Sequence, residues 1–137
     1  MVAVTVVADT SAIARLLDND LDHLLSRAFK LVLVPRHVES ELRREGRRRR
    51  AKLKKLFREG VFKRCTDYEE SLVSRWNIAI GRGPRQRNRG EAEALAQCQT
   101  CGIGTLFSDD YVAGQFALQM GFTVVRATEV VAMTGAT

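Results

Sequence analysis

Four short apolar runs alternate along the chain with longer segments in which apolar residues recur at helical spacing. The runs cover residues 2–8, 31–34, 105–108 and 122–125. They are continuous rather than alternating, which is typical of strands that are covered on both faces. Strands separated by helices predict a parallel sheet. We therefore expect an α/β fold, a three-layer α/β/α sandwich around a parallel central sheet of four or five strands.

Helices are predicted between and after these strands. The periodic segments are 12–17, 21–29, 35–44, 46–58, 67–80, 91–98, 111–120 and 128–133. Thr10 and Ser11 suit the N-cap of the first helix, and Pro35 suits the first turn of the third. The pattern in 67–80 places Leu72, Trp76 and Ile80 inward. Segment 60–65 is predicted to be a connector or a further strand, and 81–90 a loop.

Length and composition indicate a single globular domain over residues 1–137. The chain is 45% hydrophobic and 28% charged, which is ordinary for a soluble domain of this size. No apolar run reaches the roughly 20 residues that a membrane span needs. Residues 2–8 also lack a preceding basic segment, so we expect no membrane span or signal peptide and a cytoplasmic protein.

The three cysteines do not suggest a disulfide framework. Cys98 and Cys101 have the spacing of a redox or zinc motif, but no second pair accompanies them. We therefore predict that these two residues, which have helical spacing, are buried free thiols.

Positive charge is concentrated in two segments. Residues 43–64 carry a net charge of +10 and residues 82–89 a further +4, although the whole chain carries only +6. The polar face of the predicted helix 46–58 is either simply solvated or binds a polyanion. We favour binding, because neighbouring like charges destabilise a helix when nothing pairs with them.

Acidic residues follow two of the predicted strands. Asp9 ends the first run, and the pair Asp109 and Asp110 ends the third. Glu41 and Glu91 lie in helices that begin near the same edge of a parallel sheet. Each acid could be a separate cap or surface charge, and Asp9 alone could simply cap its helix. Acids that converge there would instead need cations, and carboxylate oxygens suit Mg²⁺ or Mn²⁺.

Other catalytic motifs are absent from the sequence. No glycine-rich dinucleotide or P-loop motif follows a predicted strand, and neither histidine has a partner typical of a nucleophilic triad.

Four ordered segments resemble the PIN domain ribonucleases, among them the small single-domain proteins that include the VapC toxins. The segments are Val6-Val-Ala-Asp9-Thr-Ser-Ala-Ile13, Val34-Pro-Arg-His-Val-Glu-Ser-Glu41-Leu42, Gly90-Glu91-Ala-Glu-Ala-Leu-Ala96 and Leu106-Phe-Ser-Asp-Asp110. The resemblance implies that Asp9, Glu91 and Asp110 bind the divalent metal. It implies that Glu41 binds the metal or orients its water, and that Asp109 substitutes for Asp110 or adds a ligand.

Two features depart from the toxin pattern. Glu91 stands where many toxins have aspartate, and the basic helix 46–58 is unusual in a compact toxin. The resemblance implies a metal-dependent endoribonuclease that hydrolyses RNA phosphodiester bonds, as the toxin of a toxin–antitoxin pair. An RNA-processing nuclease, or a PIN-like protein that binds RNA or joins an assembly without cutting, is the alternative.

The expected partners are RNA, a cognate antitoxin protein and a second copy of the chain in a homodimer. The basic segments would hold the RNA backbone and contribute little sequence selectivity. The candidate RNA-binding residues are Arg47, Arg48, Arg49, Arg50, Lys54, Lys55, Arg82, Arg85, Arg87 and Arg89.

Overall fold

The computed structural model describes residues 4–81 and 88–135 and contains one sheet of five parallel strands. The strands are β1 (Val4–Ala8), β2 (Phe29–Pro35), β3 (Phe62–Cys65), β4 (Thr105–Phe107) and β5 (Thr123–Val125). Their order across the sheet is β3-β2-β1-β4-β5. This arrangement confirms the predicted α/β class and parallel sheet, and segment 60–65 supplies its fifth strand.

The helices follow most of the predicted segments. They are α1 (Thr10–Asp18), α2 (Leu25–Ala28), α3 (Arg36–Arg43), α4 (Arg47–Arg58), α5 (Glu70–Ile80), α6 (Arg89–Cys101), α7 (Tyr111–Gln119) and α8 (Ala127–Met133), with a 3₁₀ turn at Asp22–Leu24. Within the described part of the chain, none of the helices is long and apolar enough to cross a membrane.

Two apolar cores cover the two faces of the sheet. Successive residues of a strand point to opposite faces, so Val6 and Ala8 enter one core and Val7 enters the other. Helices α1 to α4 and α8 contribute to the first core, and α5 to α7 contribute to the second. The predicted three-layer sandwich is therefore present.

The prediction of one helix over residues 21–29 is wrong. A 3₁₀ turn and the four-residue α2 occupy its first part, and Phe29 begins β2 instead. Phe29 pairs with Val4 of β1, and its ring lies 5.1 Å from that of Phe107. Tertiary pairing and aromatic packing thus outweigh the local helical spacing.

The starts of α1 and α3 differ from the predictions. Helix α1 begins at Thr10, so Asp9 occupies the N-cap position rather than Thr10 or Ser11. Pro35 ends β2, where it pairs with Cys65, and precedes the first turn of α3. Its extended ψ of 156° places it at the N-cap of α3.

The inward face of α5 also differs from the prediction. Val73, Asn77 and Ile80 are buried, whereas Leu72 and Trp76 are only half-buried. The ring of Trp76 lies 5.4 Å from that of Phe116, and its indole N–H donates to the side-chain oxygen of Gln99. Trp76 therefore lies beside the core of the sheet rather than in it.

Candidate active site

The strand order reverses direction between β1 and β4. From β1 the chain proceeds outward to β2 and β3 on one side and, later, from β4 to β5 on the other. Open parallel sheets bind ligands in the crevice at such a switch point, beyond the carboxyl ends of the strands. Asp9 follows β1 directly, and Ser108, Asp109 and Asp110 follow β4. The Asp9 N–H donates to the Phe107 carbonyl at 3.1 Å, which joins the two strand ends.

Asp9 is fully buried at this crevice. One carboxylate oxygen accepts a hydrogen bond from the Ser11 hydroxyl at 2.8 Å, and the other accepts one from the Ser108 hydroxyl. Burial raises the pKa of Asp9 to about 6; the two hydroxyls oppose this shift and the charge of Asp110 adds to it. Asp9 is thus the N-cap residue by position, but with the raised pKa of a desolvated carboxylate.

Glu91 lies in the first turn of α6 and faces the same crevice. The pKa of Glu91 is raised to about 7, chiefly by burial and in addition by the negative charges of Asp9, Asp110 and Glu41. Its neighbour Gly90 lies against the Glu41 carboxylate and the Thr10 hydroxyl. Because Thr10 follows Asp9 directly, the start of α6 lies beside both of these acids.

Glu41 reaches the crevice from the last turn of α3. Its carboxylate accepts a hydrogen bond from the Thr10 hydroxyl at 2.8 Å, and the His37 ring lies 4.0 Å away. Helix α6 approaches so closely that a Cβ atom at Gly90 would lie 2.5 Å from the Glu41 carboxylate. An alanine at position 90 would therefore have to displace the Glu41 carboxylate.

The two acids after β4 have different surroundings. Asp110 caps α7 through the Ala113 N–H at 2.8 Å and contributes to the raised pKa of both Asp9 and Glu91. Asp109 accepts a hydrogen bond from the Ala127 N–H at the start of α8, also at 2.8 Å, and pairs with Arg15 at 3.2 Å. The structure therefore joins Asp110 to the other carboxylates and directs Asp109 towards α8.

The donor chemistry of these residues suits a hard divalent cation. Among residues 4–81 and 88–135, no three His, Cys, Asp or Glu side chains are grouped closely enough to hold a metal ion. Mg²⁺ commonly binds proteins through only one or two carboxylates and keeps several waters. The raised pKa values of Asp9 and Glu91 fit such an ion, because its positive charge would favour the ionised form of both carboxyl groups.

Several of the predicted RNA-binding cations pair with acids of the fold. Arg48 and Arg49 contact Asp20 and Asp18, at 2.5 Å and 2.6 Å, and Arg89 contacts Glu70 and Glu93. The expectation that the charges of α4 lack compensating pairs is therefore wrong for that side of the helix. Arg47, Arg50, Lys54 and Lys55 are exposed, and Arg82, Arg85 and Arg87 lie outside the described residues.

Glu93 has a role that the sequence did not reveal. It is only 2% exposed, and its carboxylate accepts hydrogen bonds from the His37 N–H and from Arg89, both at 2.8 Å. Burial raises the pKa of the neighbouring Tyr68, and a hydrogen bond with Glu93 raises it further. Glu93 thus joins the first turn of α3 to α6. In the sequence, the only indication of this role is a charged residue between the small residues Ala92 and Ala94 of α6.

All three cysteines are free thiols, and Cys65 and Cys98 are buried. The prediction of a buried thiol is confirmed for Cys98 and wrong for Cys101. Burial raises the pKa of both Cys65 and Cys98 to about 12. Cys101 is exposed at the end of α6, where its sulfur accepts a hydrogen bond from Gln97 at 2.6 Å.

Comparisons with known proteins identify the family. A family model described as a PIN domain (DUF3368) matches residues 5–133. No curated protein matches the chain. The crystal structure of PAE2754 from Pyrobaculum aerophilum shares the fold at a TM-score of 0.58 and 15% identity, covering 99% of this chain and 100% of that one. The chain therefore belongs to the PIN domain family.

Proposed function

We propose that this protein is a metal-dependent endoribonuclease that hydrolyses RNA phosphodiester bonds with Mg²⁺ or Mn²⁺. The observation that supports the proposal most directly is the convergence of Asp9, Glu41, Glu91 and Asp110 at the switch point. Buried carboxylates that repel one another are costly unless a cation compensates them. PIN domains are generally nucleases, which supports the same activity.

The proposed roles follow from the surroundings of each acid. Asp9 is the central ligand, because two serine hydroxyls fix both of its oxygens. Because no three of the described acidic side chains are grouped closely enough to hold an ion, we propose that a bound ion would draw Glu91 and Asp110 towards Asp9 to complete the ligand set. Glu41 would bind the ion or orient the attacking water. A divalent ion bound by these residues supplies Lewis acidity towards the phosphodiester and its attacking water. Asp109 supports the site indirectly, through its contact with α8.

Cleavage of a mixed RNA pool tests this proposal. We compare the wild type with Asp9→Asn, which keeps the shape of the side chain and removes its charge. The control is Asp67→Asn, the same change at an exposed acid two residues after β3. We expect cutting by the wild type and Asp67→Asn that needs Mg²⁺ or Mn²⁺ and stops with EDTA, and no cutting by Asp9→Asn. Equal cutting by Asp9→Asn would reject the site. A folded wild type that binds RNA without cutting would favour the non-catalytic alternative.

Within this activity we propose the role of toxin in a toxin–antitoxin pair, with an antitoxin protein as partner and a homodimer as the working form. Expression of the wild type, but not of Asp9→Asn, should then arrest growth, and co-expression of an adjacent small gene should relieve the arrest. Cutting of RNA in vitro without growth arrest would favour an RNA-processing nuclease. Light scattering on the purified protein tests the homodimer.

A further inference from the structure

The basic helix α4 has two sides with different surroundings. On one side, Arg48 and Lys52 each lie 2.5 Å from Asp20, and Arg49 lies 2.6 Å from Asp18. The side chains of Arg49 and Lys52 are only 11% and 17% exposed. These ion pairs join α4 to the end of α1 and to the turn that follows it. The charges on this side are therefore paired with acids of the fold.

The other side of α4 lines a groove with cations from three elements. Arg50 and Lys54 contribute from α4, Arg43 from the end of α3 and Arg64 from β3, with the buried Leu53 at the base. The cavity that these residues line has a volume of about 420 Å³. Among the described residues, neither Arg50 nor Lys54 forms an ion pair with an acid.

The walls of this basic groove are organised by the protein itself. Glu39 pairs with Arg43 at 2.5 Å and with Arg64 at 2.8 Å. The Arg64 guanidinium also lies 4.2 Å from the centre of the Phe57 ring, and Arg50 donates to the Arg43 carbonyl at 3.3 Å. One carboxylate against four cations leaves the groove strongly positive.

Helix α3 lies between the basic groove and the carboxylates. Residues two apart on a helix face opposite sides: Glu41 contacts Thr10, whereas Glu39 and Arg43 pair with each other and Glu39 pairs with Arg64. Arg64 is near the carboxyl end of β3, which runs parallel to β2 and β1. An RNA strand that leaves the carboxylates and crosses α3 would therefore meet the groove on its far side.

We propose that the basic groove binds the sugar–phosphate backbone of single-stranded RNA on one side of the bond that is cut. This inference rests on the proposed function. Guanidinium groups match phosphate geometry and remain charged at any physiological pH. Arg43 and Arg64 were not predicted from the sequence, whereas Arg48 and Arg49 belong to the ion-paired side. The RNA is thus held by one side of α4 only.

The affinity for RNA as a function of salt tests this assignment. Anisotropy of a fluorescent single-stranded RNA is measured on the full chain in EDTA, from 50 to 300 mM KCl. We compare the wild type with Arg50→Gln/Lys54→Gln and with a matched control, Lys30→Gln/Arg75→Gln. The control removes the same charge from exposed positions at the start of β2 and on α5.

The groove variant should bind RNA at least tenfold more weakly at low salt. The slope of its log affinity against log salt should be smaller in magnitude by about 1.4, because each of the two lost phosphate contacts contributes about 0.7 for a single strand. The control should keep the wild-type slope. An unchanged slope in a folded groove variant would overturn the proposal, even if the wild type cuts RNA. Binding of polyglutamate, a model of an acidic protein segment, is measured in the same way. If the groove variant loses polyglutamate binding but keeps RNA binding, the proposal is overturned in favour of an acidic protein partner. If RNA binding is lost but the wild type never cuts, the groove stands and the nuclease activity fails.

Discussion

Replacing Glu93 with alanine tests whether this buried carboxylate joins α3 to α6. The variant leaves the His37 N–H without its acceptor and deprives the partly buried Arg89 of one of its two carboxylates. Hydrogen bonds to charged groups contribute about 1.5–3 kcal/mol each, and breaking a buried ion pair costs about 3–5 kcal/mol. We therefore expect Glu93→Ala to lower the free energy of unfolding by about 3–5 kcal/mol.

Urea unfolding, followed by circular dichroism and Trp76 fluorescence, measures this loss. Glu93→Gln retains an acceptor for the His37 N–H but turns an amide towards Arg89, so it should lose about half as much. Glu45→Ala removes an exposed acid after α3 and should stay within about 0.5 kcal/mol of the wild type. A loss below about 1 kcal/mol for Glu93→Ala would refute the role that we assign to these hydrogen bonds.

Three further predictions concern the carboxylates. Without divalent ions, Asp9→Asn should stabilise the protein by about 2–3 kcal/mol at pH 7.5, because the folded wild type holds an ionised carboxylate whose pKa is raised to about 6. Thermal melts should show that this gain disappears as the pH falls from about 6 towards 3.8. Over that range the folded wild type takes up the Asp9 proton before the unfolded chain does. Ser108→Ala removes a hydroxyl that lowers the Asp9 pKa, so the acidic limb of the pH profile of cleavage should move upward by on the order of one pH unit. An unchanged acidic limb would show that Asp9 is not the group whose ionisation it reports. Gly90→Ala places a Cβ atom against the Glu41 carboxylate and should reduce kcat at least tenfold, although alanine favours a helix by about 1 kcal/mol; wild-type turnover would show that Glu41 can move without consequence.

The sequence predicted what depends on local pattern and on the geometry of parallel sheets. Continuous apolar runs identified four of the five strands, whereas β3 contains two cations and its segment was left open as a connector or a strand. The acids after the first and third runs were expected at one edge because the carboxyl ends of parallel strands share it. The structure brings Asp9 and Asp110 close enough for each to affect the pKa of Glu91. It also gives Asp110 and Asp109 different contacts, with the start of α7 and the start of α8 respectively. The sequence alone did not show which of the two faces the other acids.

Features that depend on distant contacts could not be predicted in this way. The partners of Arg48 and Arg49 lie 28 and 31 residues away, at the end of α1 and in the turn after it, and their positions depend on how α1 packs. Glu93 contacts His37 across 56 residues. Phe29 joins β2 because of Val4 and Phe107, which local spacing does not include. In each case tertiary contacts decide between alternatives that are locally equivalent.

The unequal burial of the three thiols makes α6 a natural site for chemical labelling. Cys65 and Cys98 are buried with pKa values of about 12, so a maleimide dye at neutral pH should attach to Cys101 alone. Ten residues of helix, about 15 Å, separate that dye from Glu91. The unmodified chain therefore carries a single reporter position at the far end of the helix that presents Glu91, and full thiol reactivity of all three cysteines marks the unfolded state.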